Sequence, residues 1–187
     1  MDERELTEVP QFVGLAVPES ILMNSNDHGF GVFVIDDKSI RYYEENLSKI
    51  DNQLNKAVVI SQLLIMMKQI MYPATRLPLV LDQMMDEPNQ NLINAVYMAL
   101  VSARSFYLPA ENIQKFNKEV SDFFLRKAVK EQQDKKLQSF CLDKALGFVF
   151  DEENLTMAAE WIHSGQTVIN GETLGSELNP DQKYAIL

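Results

Sequence analysis

The chain has two histidines, and one of them forms the only pairing in the sequence that resembles a metal site. Glu160 and His163 are three positions apart, so on a helix both side chains lie on one face. A carboxylate-bridged dimetal site needs a second pair of this kind and two further carboxylates from other helices, and only one pair exists. His28 is far away in the sequence and lies in no metal-binding motif. We therefore interpret His163 as a helix-end histidine and predict no metal ligands in this chain.

Other reactive residue types are present without the patterns that catalysis requires. Asp27, Asp36 and Asp37 could offer oxygen ligands to calcium, but the twelve-residue calcium loop is absent, which favours turn and cap carboxylates. Cys141 lies on the apolar side of the helical pattern LQSFCLDKALGF, which predicts a buried structural thiol. No nucleophile elbow and no Gly-rich phosphate loop occur. The sequence therefore predicts no catalytic and no cofactor-binding residues.

Composition and charge exclude several partners. The formal net charge of the 187 residues is −10, which disfavours a general nucleic-acid binder because such proteins need a basic face. No basic block is present that would bind anionic membranes, and the longest apolar stretch, KAVVISQLLIMMKQIMY, is too short and too polar for a membrane span. The N-terminus lacks the apolar core of a signal peptide. With a single cysteine, these features predict a cytoplasmic protein with no nucleic-acid or membrane partner.

The elements that must position any site are mostly helices. From Lys38 onward apolar residues recur with the helical period, which predicts a mainly α fold, an antiparallel helical array of the α-solenoid or superhelical type. The helix after Asp51 is apolar nearly all round, so we place it at the centre and assign its methionines to the core. The predicted helices cover about residues 38–49 and 52–71, and a third begins between Pro73 and Pro78 and ends near Asp86. Others begin at Pro88, Pro109, after the polar letters KEQQDKK, at Asp151 and at Asn179.

A short β-hairpin is expected before the first helix. Residues 21–23 could form a strand, residues 30–35 are rich in β-branched and aromatic side chains, and the letters SNDHG between them are typical of a turn. Two strands alone are marginal in water, so they need a sheet to join or a helix layer to lie on. At the other end, Asn179 can cap a helix that Pro180 begins. Both ends of the sequence therefore look cut, and the alternative on pattern alone is a complete helical domain with a small hairpin and a frayed tail.

The stretch TEVPQFVGLAVPESILMNSNDHGFGVFVIDDKSI, continuing as RYYEENLSKIDNQLNKAVV, resembles zinc aminopeptidases of the aminopeptidase N family. The residues that carry the resemblance are Asn24, Gly29, Phe30 and Asp36, followed by LSKID at 47–51 and a long apolar helix. The tight match covers about residues 7–60, and beyond it only helix lengths and spacing agree. Many family members have a basic residue after the Gly-aromatic pair, where this chain has Gly31, so any contact of that side chain is not carried over.

This resemblance implies a domain organisation and a function. Residues 1–37 would end a β-sandwich domain, and residues 38–187 would form most of the helical C-terminal domain, truncated. The family holds zinc with a His-Glu-x-x-His helix and a downstream Glu, none of which is present here. The resemblance thus implies a non-catalytic part of an enzyme that removes N-terminal residues from peptides. Its zinc would be held elsewhere, and its partners would be the rest of the enzyme and the peptide substrate. The alternative is a stand-alone helical-repeat scaffold for protein interaction.

Overall fold

In a computed structural model, which describes residues 10–149, 152–175 and 177–187, the chain is mainly helical. Short 3₁₀ turns at Pro10–Phe12, Ser25–Asp27, Leu47–Lys49 and Ala74–Arg76 connect or extend the main elements. The helices are α1 Asp37–Asn46, α2 Gln53–Lys68, α3 Leu77–Asp82, α4 Gln90–Phe106, α5 Ala110–Lys130, α6 Lys135–Leu146, α7 Glu152–Ser164 and α8 Pro180–Ile186. These bounds confirm the predicted helices to within a few residues, although α3 is much shorter than expected.

Side-chain caps explain where several helices begin. The Asp36 carboxylate accepts hydrogen bonds from the backbone N–H groups of Lys38 and Ser39 at the start of α1. Helix α2 is capped by Asn52, one residue after the Asp51 that the sequence predicted. Helix α8 begins with a complete capping box, in which Asn179 and Gln182 each bind the other's backbone N–H. Asp151, the predicted start of α7, lies outside the described residues.

The core forms around α2 and α5. Val59, Leu63 and Met67 of α2 are at most 1% exposed, which confirms that this helix is central. Met66 and Met67 belong to the core as predicted, whereas Met71, which the prediction also included, is 48% exposed. Helix α5 packs along α6, α3 lies against α1, α4 and α5, and α8 lies against α6 and α7. The short final helix is therefore stabilised by tertiary contacts, because seven residues alone would not form a stable helix. The solenoid arrangement stays a prediction.

The predicted N-terminal hairpin is wrong. Neither residues 21–23 nor residues 30–35 form a strand. The sheet that the described residues do contain is an antiparallel hairpin of β1 Val168–Ile169 and β2 Glu172–Thr173, in the loop where the sequence allowed only a brief extended piece. Three backbone groups of the predicted strands instead form hydrogen bonds with side chains of the helices. Ile21 N–H donates to Ser39 Oγ, Gln62 Nε2 donates to the Met23 carbonyl, and Ile35 N–H donates to Met66 Sδ.

Candidate functional site

The residues that suggested metal chemistry do not come together. Glu160 and His163 are both exposed and line a mainly apolar groove of about 670 Å³ between α7 and the β1–β2 turn, beside Met157 and Trp161. His28 is exposed at the other end of the chain. Within residues 10–149, 152–175 and 177–187, no group of three His, Cys, Asp or Glu side chains could hold a metal ion. The groove beside α7 therefore offers apolar contact and not a coordination site.

The aspartates near the N-terminus close turns and cap a helix, as predicted. Asp27 accepts a hydrogen bond from Asn24 Nδ2 in the 3₁₀ turn, and Asp36 caps α1. Asp37 follows in the first turn of α1, where a negative charge suits the helix dipole. Hydrogen bonds from the Ser39 hydroxyl and backbone N–H lower the pKa of Asp36 below its usual value. This carboxylate is therefore charged at neutral pH and occupied by the cap.

The cysteine is structural. Cys141 is fully buried on α6 in the hydrophobic core, which confirms the prediction of a buried thiol. Burial raises the pKa of this thiol to about 12, because the low-polarity surroundings disfavour the thiolate. The thiol is therefore protonated at neutral pH and out of reach of solvent, so it is not a nucleophile.

The most unusual surface of the molecule is residues 30–35, which we call the edge segment. Its side chains alternate between two faces. Phe33 and Ile35 turn toward the helices, and Ile35 is 3% exposed. On the other face Phe30 is fully exposed, Val32 is 53% exposed and Val34 is 48% exposed. Alternation with a period of two is a property of a β-strand, and here both faces are apolar.

Two anchors hold the edge segment along α2. Before it, the backbone N–H of Asn26 donates to Asn55 Oδ1 over 2.8 Å, in the first turn of α2. At its end, the N–H of Ile35 donates to Met66 Sδ near the last turn of α2. Between these anchors Phe33 lines a small groove with Ala57 and other residues of α2. The segment therefore follows the helix in the same direction, over roughly 16 Å of helix axis at 1.5 Å per residue.

The backbone of the edge segment has free hydrogen-bonding groups. Among the residues that the structure describes, no hydrogen bond reaches the N–H or C=O groups of residues 30–34. Free backbone groups beside exposed apolar side chains are the features of a sheet edge that can accept another strand. Further exposed apolar side chains lie upstream of the segment, at Phe12, Val13, Leu15, Val17, Ile21 and Met23.

Sequence reasoning missed a buried ionic cluster that fixes the loop between α3 and α4. Lys127 has a fully buried side chain, and its ammonium group donates to the carbonyls of Met85 and Glu87 and to the Glu131 carboxylate. Lys56 donates to the Glu87 carboxylate over 2.6 Å, and this interaction is also buried. The available signal was the position of Lys127 beside Phe123 and Phe124 on the apolar face of α5. The cluster is structural, because each charge is used by the fold.

A second missed feature ends the central helix. Ile70 has a φ of 60°, in the left-handed region that costs a β-branched residue free energy. The N–H groups of Ile70 and Met71 bind the carbonyls of Met67 and Met66, which is the hydrogen-bond pattern of a Schellman motif. Glycine is the usual residue at this position, yet here an isoleucine is 88% exposed. Met66 links this site to the edge segment, because its carbonyl accepts from the N–H of Met71 and its sulfur accepts from the N–H of Ile35.

Comparison with known proteins gave no matching family model and no matching curated relative. None of the helices in the described part of the chain combines the length and the apolar character that a membrane span requires. The resemblance to zinc aminopeptidases therefore stays a prediction, and the first part of its matching stretch, residues 7–9, lies outside the described residues.

Proposed function

We propose that this chain is a non-catalytic helical domain of a zinc aminopeptidase, and that its edge segment is the strand that joins the domain to the sheet of a neighbouring β-sandwich. The observation that carries the proposal is the edge segment itself. It has strand-like alternation, an apolar outer face and backbone groups without partners in the described part of the chain. A neighbouring β-sheet would accommodate these three features, because it supplies a hydrogen-bond ladder for the backbone groups and an apolar face for the exposed side chains.

The geometry of the preceding turn supports the resemblance. Asn24 Oδ1 accepts a hydrogen bond of 2.5 Å from the N–H of Gly29, and Asn24 Nδ2 donates to the Gly29 carbonyl. A Cβ atom at Gly29 would lie 2.9 Å from Asn24 Oδ1 and 3.1 Å from the Phe33 ring, which is too close. The Asn-containing turn and the glycine before the aromatic residue therefore depend on one another physically. Both belong to the pattern on which the resemblance rests.

In this proposal the chemistry belongs to another part of the enzyme. The zinc ion and its His-Glu-x-x-His helix would lie in a separate domain, and zinc would activate the water that attacks the peptide bond. The helical domain described here would cover that active site and limit which peptides reach it. The rest of the aminopeptidase and the peptide substrate are the partners that the proposal requires.

The reading frame that encodes this chain gives the most direct test. We expect a His-Glu-x-x-His motif in the same frame, upstream of the codon for Met1. A frame without this motif contradicts the proposal and leaves the stand-alone helical scaffold as the better hypothesis. The chain alone, supplied with zinc and an aminoacyl reporter substrate, is expected to show no turnover, and zinc-dependent turnover would contradict a non-catalytic role.

Amide hydrogen exchange tests the strand role of the edge segment. In the chain alone we expect fast exchange at residues 30–34, because these N–H groups have no hydrogen-bond partner among the described residues. In the product of the full reading frame we expect these amides to be protected by a sheet ladder. The amides of α2 are the internal control and are expected to be protected in both. Equally fast exchange of residues 30–34 in both proteins would contradict the proposal.

A further inference from the structure

The turn of the β1–β2 hairpin contains a sequence pair that occurs once in the chain. Asn170 and Gly171 form its two-residue turn, and they are the only Asn-Gly pair in the sequence. Their φ angles are 51° and 81°, both positive, as a type I′ turn requires. Both residues are exposed to water. In the described part of the chain no hydrogen bond holds the side-chain amide of Asn170.

From these features we propose that Asn170 is a site of spontaneous deamidation, and that its modification opens the hairpin that covers Trp161. The step needs only water. The Gly171 backbone nitrogen loses its proton and attacks Cγ of Asn170, a C–N bond forms, and the amide nitrogen leaves as ammonia. Water then opens the resulting cyclic imide. Opening at one carbonyl gives aspartate, and opening at the other gives isoaspartate, so nothing is oxidised or reduced.

The attacking atom is accessible because glycine has no side chain. No heavy atom lies within 4 Å of the position that a Cβ of Gly171 would occupy, so the turn has room to rearrange. The hairpin has only two residue pairs, Val168 with Thr173 and Ile169 with Glu172. A ladder this short opens by local fluctuation, which lets the backbone reach the geometry of the cyclic imide.

A second asparagine shows what protects against the same reaction. Asn24 also has a positive φ, 56°, and precedes the small residue Ser25. Its side chain, however, accepts from the N–H of Gly29 and donates to the Gly29 carbonyl and to Asp27. These three bonds restrain the side-chain amide, so it is not free to rotate into the geometry of the cyclic imide. We therefore expect Asn170 to deamidate and Asn24 to be protected.

The consequence for the fold follows from what the hairpin holds. Trp161 Nε1 donates to the Val168 carbonyl over 2.7 Å, and Leu174 N–H donates to the Thr167 carbonyl over 2.8 Å. Isoaspartate adds a backbone atom to the turn, which the two-residue geometry cannot accommodate. Loss of the β1–β2 pairing removes the acceptor of Trp161 Nε1 and exposes the Trp161 side chain, which is buried in the intact fold, to water.

Incubation of the folded chain at mildly alkaline pH, followed by peptide mapping, tests the proposal. We expect the amide-to-acid mass change at Asn170 before any change at Asn24, isoaspartate at residue 170 by enzymatic methyl labelling, and faster conversion as pH rises. Because the chain has a single tryptophan, we also expect a red shift of its fluorescence that follows the conversion.

Two variants make the result specific. Asn170→Gly keeps the turn geometry but has no amide to lose, so we expect neither the mass change at residue 170 nor the fluorescence shift. Asn170→Asp adds the charge without the extra backbone atom, so we expect a smaller fluorescence shift than in the converted chain. The proposal is overturned if Asn170 stays intact in the folded chain while it converts in urea. It is equally overturned if conversion leaves the fluorescence of Trp161 unchanged.

Discussion

Two regions of the molecule, one before α1 and one after α7, meet the same helical core in opposite ways. The C-terminal region, residues 166–187, buries Ile169, Leu174 and Leu178, and these side chains are at most 7% exposed. The N-terminal region, residues 10–36, is richer in apolar residues but leaves most of them exposed, including Phe12 at 69% and all three outward residues of the edge segment. Apolar composition alone therefore does not determine burial.

Polar anchors explain much of the difference. In the C-terminal region Gln182 is buried and donates to Ser139 and Asp143 of α6, so α8 has a fixed register on the core. In the N-terminal region the anchors at Asn26, Ile35 and Asp36 hold only one face of the edge segment. The other face is left without a partner in the described residues. The C-terminal region therefore covers its apolar residues by contacts within the chain. The N-terminal region leaves an apolar surface that is suited to contact with another protein surface.

The largest expected change in stability comes from a substitution that breaks the contacts between α7 and the hairpin. Trp161→Ala removes a side chain that is 3% exposed together with its bond to the Val168 carbonyl. We expect a loss of about 3–5 kcal/mol in the free energy of unfolding, from the lost burial and the cavity. Urea unfolding followed by circular dichroism measures it. Tyr184→Ala is the matched control, because Tyr184 is 82% exposed and should contribute little; equal losses would contradict the contrast.

A smaller effect is expected at the junction of the N-terminal region with α1. Asp36→Ala removes the cap and is expected to cost about 1 kcal/mol of stability, whereas Asp36→Asn keeps most of it. Because the pKa of Asp36 is lowered in the folded state, its charge stabilises the fold above the unfolded pKa. That contribution is lost as pH falls through the folded pKa. Acid titration of stability should therefore show a shallower loss in Asp36→Asn than in the wild type, and identical profiles would refute the assignment.

Glycine at the end of α2 should stabilise the chain. Ile70→Gly relieves the left-handed strain of a β-branched residue, with an expected gain of about 1 kcal/mol. Ile70→Ala keeps a Cβ at the same φ and should give little or no gain, which separates strain from loss of the exposed side chain. Thermal unfolding of both variants measures the difference. A loss of stability in Ile70→Gly would mean that the isoleucine side chain packs against the chain after all.

The smallest stability effect is expected on the outer face of the edge segment. Val32→Thr should change the free energy of unfolding by less than about 0.5 kcal/mol, because the side chain is half exposed. The same variant should bind less of a dye that reports exposed apolar surface. Val59→Thr, at a site with 0% exposure, is the matched control and should lose about 1–3 kcal/mol. A large loss in Val32→Thr would show that the outer face is already covered.

The helices were predictable because each has a local signal. Apolar periodicity and caps such as Asn179 act within a few residues, so their effect is readable in the sequence. The N-terminal hairpin was predicted wrongly because helices that are distant in the sequence bind backbone groups of both predicted strands. The N–H of Ile21, the carbonyl of Met23 and the N–H of Ile35 bind side chains that lie 18 to 39 residues away, those of Ser39, Gln62 and Met66. A period of two was visible, but the surface on which the segment lies was not.

The candidate site was predictable only in part. The alternation of residues 30–35 was readable, and so was the need for a sheet or a helix layer beside it. The direction of the segment along α2 and the strain at Ile70 could not be read from the sequence. Both follow from where α2 ends in three dimensions. The buried position of Lys127 is of the same kind, since lysine is rarely fully buried and its acceptors come from another element.

Because Lys127 is buried, chemical labelling of this residue can report whether the chain is folded. Reagents that acylate amines need an accessible amine, and the side chain of Lys127 in the folded chain is fully buried and hydrogen-bonded to three acceptors. Exposed lysines such as Lys115 should react at once, whereas Lys127 should react only in molecules that have opened. The ratio of label on Lys127 to label on Lys115 therefore measures the fraction of molecules that have opened.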